Sequence, residues 1–305
     1  DPGCVPLNIF GPGNASPKAL DYITGTAIQR VLVGQEVVEG SASGELFDLP
    51  AGAVSLAVGA GYRAERGNQT TDARSQEIRT GAGLAGFPTG GIPGFASGIA
   101  NSLGGFERTN PQPTNGSYNV TEAFAEVEIP VVKNVAWANS LTINAAGRYV
   151  DYSISGGVEP WKLGVVWEVN DWLRLRGSRS TDIRAPNLGE LFKGSSQGTS
   201  AVTDTPRGST SIENVLTGSV GNSGLVPESS NTWTVGGVIT PDSLLPGLSF
   251  SVDYYSISIT KAISTLTAQQ ELDQCAAGAQ QECSFIQRNG SGGLARVLLP
   301  YFNAA

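Results

Sequence analysis

Glu126 and Glu128 stand two residues apart in a run that alternates apolar and polar side chains. That spacing sets both carboxylates on one strand face, about 7 Å apart. Paired carboxylates are the equipment of glycoside hydrolysis, but that reaction needs them across a cleft, with one pKa raised. Two neighbours on one strand read better as the lining of a wet surface. Arg148, Arg174, Arg176, Arg179 and Arg184 fall within similar alternating runs or at their ends. With Glu126 they are the candidate contacts to a solute, chosen on facing and charge. Gly81-Ala82-Gly83-Leu84-Ala85-Gly86 has the G-x-G-x-x-G spacing of a dinucleotide-binding turn. Such a turn works between a buried strand and a helix whose N-terminus receives the pyrophosphate. Here the polar DARSQEIRT precedes it and GFPTGGIPGF follows, so the motif reads as a flexible Gly-rich loop.

Other chemistries fail on residue type. The chain has no histidine, which removes a His-based triad, a His-ligated zinc and a His haem ligand together. No P-loop, G-x-S-x-G or C-x-x-C is present, and no motif calls for a cofactor or a metal. Cys275 and Cys283 enclose AAGAQQE, a spacing that a local disulfide can close in an oxidising compartment. Two free thiols are the alternative. Cys4 is left over, and its partner is expected before Asp1. With no methionine and Asp1 first, the chain reads as processed or as a fragment. Five N-x-[ST] sequons (Asn14, Asn68, Asn115, Asn119, Asn289) are ordinary in so Asn/Ser/Thr-rich a chain.

The elements that would position these residues are strands. Gly and Pro make up roughly a fifth of the 305 residues, a density that works against helices. Charged residues are 15%, against ~25% in ordinary soluble proteins, and the net charge of −8 argues against a nucleic-acid partner. No apolar run of 18 residues exists, so no transmembrane helix is expected, although a β-barrel spans lipid with half-apolar strands.

Period-two alternation recurs about eight times, near 27–41, 53–66, 120–131, 140–151, 161–169, 171–180, 231–240 and 248–259. Within 53–66, Val54, Leu56, Val58, Ala60 and Tyr62 share one face, opposite Ser55, Ala57, Gly59, Gly61 and Arg63. Short links fall near 42–52, 131–139, 169–172 and 241–247, and long ones near 67–119, 181–230 and 260–305, with a shorter one near 152–160. Sorting of short and long connections suits an up-and-down barrel in an outer membrane, with short periplasmic turns and long extracellular loops. Trp137, Trp161, Trp172, Trp233, Tyr149, Tyr62, Tyr254 and Tyr255 sit at or near expected strand ends, where interfacial girdles lie. Charged faces then turn to the lumen, since a charge at mid-depth in lipid costs about 2–4 kcal/mol.

Along nearly the whole chain the sequence resembles the TonB-dependent outer-membrane receptors, in particular the subgroup common in sphingomonad- and Caulobacter-like bacteria. The matching segments include CVPLNIFG at 4–11, VTEAFAEVEIPVV at 120–132 and ANSLTINAAGRYVDYS at 138–153. The most specific is DWLRLRGSRSTDIRAPNLGELF at 171–192. LVPESSNTWTVGGVI at 225–239 and LPGLSFSVDYYSISITKAI at 245–263 follow. The resemblance implies an all-β, antiparallel up-and-down transmembrane barrel, of which residues 1–305 supply an incomplete section of about eight strands. It implies that Arg184-Ala185-Pro186 leads into an extracellular loop, that Cys275 and Cys283 form a small loop disulfide, and that Cys4 pairs upstream. The family's plug domain and TonB-binding motif are not seen in the sequence.

The implied function is part of an active transporter in the Gram-negative outer membrane. It would bind a scarce solute (siderophore, carbohydrate or cobalamin-like) and import it with energy passed through the TonB complex. Its partners would be TonB, outer-membrane lipid and that solute, with no nucleic acid. The rival readings are a secreted β-rich adhesin, for which no self-similar repeat is found, and a passive porin. An enzyme is not expected. On this reading the apolar strand faces point to lipid and are not packed against a second sheet.

Overall fold

The computed structural model describes residues 5–76, 78–79, 102–103, 106, 110–195, 197–241 and 245–304. Cys4 and the 81–86 motif lie outside them. The chain opens on helix α1 (Pro17–Ile23), whose Ala19 N–H donates to the capping Ser16 hydroxyl. Two long strands follow, β1 (Gln29–Leu49) and β2 (Gly52–Thr71), then the single-turn α2 (Ala73–Gln76). The two-residue strands β3 (Ile78–Arg79) and β4 (Ser102–Leu103) pair with each other. Next come β5 (Thr114–Val135), β6 (Ala138–Tyr152), the short β7 (Gly156–Val158), β8 (Trp161–Asn170) and β9 (Leu173–Arg184). Helix α3 (Leu188–Phe192) leads to β10 (Gly198–Thr203) and β11 (Ile212–Val220). The chain then returns through β12 (Glu228–Ile239) and β13 (Phe250–Thr260). It ends with β14 (Ile263–Thr265), α4 (Ala268–Ala276), α5 (Gln280–Cys283), β15 (Ile286–Arg288) and β16 (Leu294–Asn303).

Eight strands form one meander in the order β1-β2-β5-β6-β8-β9-β12-β13, every pair antiparallel, with β7 added on β6. β1 and β13 are its two edges, so the sheet is open among the described residues. All eight alternating runs are strands of this wall. Their lengths depart from the sequence expectation. The run expected at 27–41 is a strand of 21 residues, because the Gly- and Ser-rich stretch expected as a link at 42–52 pairs with β2 almost to its end. The turn there is only Pro50-Ala51. β2 and β5 likewise carry pairing out to Gln69 and Thr114, well into the loop expected at 67–119.

The two faces of the wall differ in kind. Residues paired across an antiparallel ladder share a face. Leu141 pairs with Trp167, Ile143 with Val165, and Ala145 with Leu163, which makes one apolar face. Among the described residues that face is not covered by a second sheet: Leu163 is 50% exposed and Val252 59%. A row of this kind is stable where acyl chains replace water around it. The opposite face carries the charged residues. The buried cores lie instead toward the long-loop end, as a small cluster of Val120, Val150 and Tyr152 and a larger one under the second sheet.

That second sheet is the main departure from the expected loops at 181–230 and 260–305. In the order β10-β11-β16-β14, with β15 on β16, it forms a cap built by both connections together. Helix α4 lays Ala268 and Leu272 against Val202, Val215, Leu294 and Val297. The bond between Cys275 and Cys283, with Cα atoms 4.8 Å apart, joins α4 to α5. A short closed loop of this size restricts the unfolded chain by about 2–3 kcal/mol.

Candidate ligand-binding wall and its cap

The charged face is a ladder of cross-strand ion pairs. On β6, Arg148 stands opposite Phe124 of β5, and its guanidinium lies 5.3 Å from the centre of that ring. Its Nη1 also reaches Glu122 at 3.3 Å. The Phe124 ring in turn covers Gly59, where a Cβ would come within 2.5 Å of it. Further along, Arg174 meets Glu168 at 2.7 Å, and Glu168 accepts a second bond from Ser140 at 2.9 Å. Arg176 grips Asp253 with two bonds of 2.8 and 2.6 Å. These two residues belong to β9 and β13 and meet across β12, where Gly236 lies between them in register. A Cβ at Gly236 would fall 1.9 Å from an Asp253 oxygen, so the pair forms over a residue that has no side chain.

At the long-loop end, Arg184 binds Glu228 through two bonds of 2.8 and 2.7 Å and Glu190 through bonds of 3.0 and 3.1 Å. Glu190 closes the capping box of α3 by accepting the Asn187 N–H at 2.8 Å, and Glu228 accepts the Ile263 N–H at 2.6 Å. One arginine therefore ties two wall strands to the first residues of both cap connections. Glu126 shares the charged face but is exposed, with no ion pair among the described residues.

The expected facing of Arg179 is corrected. Its register partners are Leu163 on β8 and Trp233 on β12, so it stands on the apolar face. The reason is parity: Arg179 lies four and six residues after Leu175 and Leu173, an even spacing that keeps all three on one side of a strand. The partners Glu122, Glu168, Asp253, Glu190 and Glu228 were not among the sequence candidates. Alternation places Asp253 on the polar side of its strand, but only the β9-β12-β13 order brings it to Arg176.

The cap has electrostatics of its own. Arg288 holds Asp204 through bonds of 2.7 and 2.8 Å, and that hydrogen bonding keeps the carboxyl below its ordinary range. Glu271 on α4 is in the opposite situation, 1% exposed with its Oε2 unpartnered. Burial, and then the charge of Glu282, pushes its carboxyl from 4.5 up to about 7. The folded cap thus holds this proton more tightly than the unfolded chain. Its contribution is most favourable below about 4.5 and is lost as pH rises through 7. Amide exchange along α4 is expected to be slower at pH 5.5 than at pH 8 after correction for intrinsic rates, and Glu271→Gln should flatten that difference. An unchanged pH dependence in the variant would place its source elsewhere.

The description "TonB dependent receptor-like, beta-barrel" matches residues 10–304. The chain belongs to that family. Receptors and transporters make up the family, not enzymes, and its members belong to the Gram-negative outer membrane. No protein of curated function matches the sequence. Among solved structures, a variant of the ferric enterobactin receptor PfeA from Pseudomonas aeruginosa in complex with enterobactin aligns with a TM-score of 0.55 at 18% identity, over 97% of this chain and 33% of that one. The siderophore receptor PirA from Acinetobacter baumannii gives 0.52 at 16%, over 90% and 33%. PirA from Pseudomonas aeruginosa gives 0.53 at 13%, over 90% and 37%. At these identities the likeness is one of fold. The chain spans about a third of the length of these solved receptors.

Proposed function

We propose that this chain forms part of the barrel wall and the outward cap of an active outer-membrane transporter, which takes a scarce solute to the periplasm with energy from the TonB complex. The observation that carries the reading is the two-faced wall. An uncovered apolar face backs onto a face of fixed ion pairs, in a chain matched almost end to end by the receptor family. Lipid solvates the first face and a watery passage the second. The long-loop end, which carries the cap, then points away from the cell, and a plug and TonB-binding segment belong to the rest of the receptor. Membership of the sphingomonad- and Caulobacter-like subgroup rests on the DWLRLRGSRSTDIRAPNLGELF stretch.

The solute is polar, of the siderophore, carbohydrate or cobalamin-like classes. The solved neighbours are siderophore receptors, which makes a ferric siderophore the first to test. Arg148, Arg174, Arg176 and Glu126 on the wall and Arg184 at its rim are the proposed contacts, each arginine held ready by its carboxylate. Family membership weighs against the adhesin and passive-porin readings. Cells producing the intact receptor as their sole siderophore transporter should accumulate a radiolabelled ferric siderophore only when TonB is present. Arg148→Ala should raise the half-saturating concentration about tenfold, the cost of one charge-assisted contact. Uptake independent of TonB would favour the porin. TonB-dependent growth on an oligosaccharide, with no siderophore uptake, would move the substrate to the carbohydrate class.

A further inference from the structure

Arg179 is the one candidate arginine that the ion-pair ladder of the described residues leaves out. Among the described residues it makes no hydrogen bond or ion pair, whereas Arg148, Arg174, Arg176 and Arg184 each hold a carboxylate. Its own rung is Leu163 and Trp233. One rung toward the short turns lie Val165, Gly177 and Val235, and one rung the other way lie Trp161, Thr181 and Asn231. None of these is acidic. Thr181 donates to Asn231 at 3.1 Å, so on β9 and β12 the outward face turns from apolar to polar one rung beyond Arg179. Gly177 leaves a shallow groove beside it, bordered by Arg179, Trp233 and Val235.

We propose that this groove docks a phosphate-bearing lipid of the outer leaflet. The phosphate would take bidentate bonds from the Arg179 guanidinium, and one acyl chain would lie in the groove past Gly177, Trp233 and Val235. The inference rests on the membrane reading above. An arginine facing lipid is costly at mid-depth and nearly free at the boundary, and the boundary is where its charge meets anionic headgroups. A guanidinium fork fits phosphate in two parallel bonds, which neutral headgroup oxygens do not reward to the same degree. Trp233, whose ring centre is 5.5 Å from that of Tyr254, supplies a rigid wall for the chain below the headgroup.

The test is native mass spectrometry of the intact receptor released from detergent micelles doped with phosphatidylglycerol or with diacylglycerol of the same chains. The wild type should retain phosphatidylglycerol about tenfold more than Arg179→Gln, and diacylglycerol poorly in both. Gly177→Leu, which keeps the arginine and fills the groove, should also lose the lipid. Inorganic phosphate at millimolar concentration should not displace it. Equal retention of phosphatidylglycerol by wild type and Arg179→Gln overturns the proposal, as does displacement by inorganic phosphate. A wild-type receptor that stays monodisperse without detergent would instead remove the membrane reading itself.

Discussion

Val58→Arg should nearly abolish recovery of folded receptor from the outer membrane, while Ala57→Arg, one residue earlier, leaves it close to normal. The two positions share a strand and a depth but not a face. Val58 pairs with Ala42 and Ala125 and lies 41% exposed in the middle of the apolar run from Val54 to Tyr62. A cation there has only apolar neighbours along and across the sheet, without the polar Thr181–Asn231 rung that stands beside Arg179, and costs up to about 2–4 kcal/mol. Ala57 pairs with Ser43 and Glu126 on the charged face, so an arginine there finds water and an unpaired carboxylate. The measurement is the heat-modifiable folded fraction in isolated outer membranes. Equal losses at both positions would mean that the faces do not meet different solvents.

Arg184→Met should loosen the cap without melting the wall. Arg184 binds Glu190 and Glu228, whose side chains are only 13% and 15% exposed. Removing the cation leaves two poorly hydrated carboxylates facing one another, and both hold other backbone groups in place. Breaking a fully buried pair costs about 3–5 kcal/mol. Arg184 is itself 46% exposed, which brings the expectation down to about 2 kcal/mol. Faster proteolysis within 185–227 and around the start of β14, with unchanged exchange in β2, β5 and β6, is the expected signature. Adding Glu228→Gln should restore part of the loss, because it removes one of the stranded charges. Protection as in the wild type would show that the backbone bonds between the cap and the wall suffice.

The wall was legible because its two sides meet different solvents. Alternation at a period of two is a direct record of that, as the run from Val54 to Arg63 shows. What lay beyond the lipid was harder to read. The 42–49 stretch of β1 is held by its partner strand and not by apolar side chains, so its glycines and serines looked like a link. The cap left no local trace, since β11 finds β16 across most of a hundred residues and Asp204 finds Arg288 likewise. Arg179 is a different matter. Its parity with Leu173 and Leu175 is plain in the sequence, and that parity, not its charge, decides its side. Pairing partners such as Asp253 need the strand order, which alternation does not contain.

The parallel ladder of β11 with β16, from Leu216–Arg296 to Val220–Pro300, has a consequence for how the molecule is made. The hairpin of β12 and β13 lies inside the loop that this ladder closes. Hairpins of neighbouring strands zip cheaply, whereas joining segments some eighty residues apart is entropically dearer and slow until the chain between them is tethered. Insertion of the hairpin shortens that search, so the outermost part of the protein should be the last to form. Once shut, it acts as a clasp that keeps the two outer ends of the hairpin together.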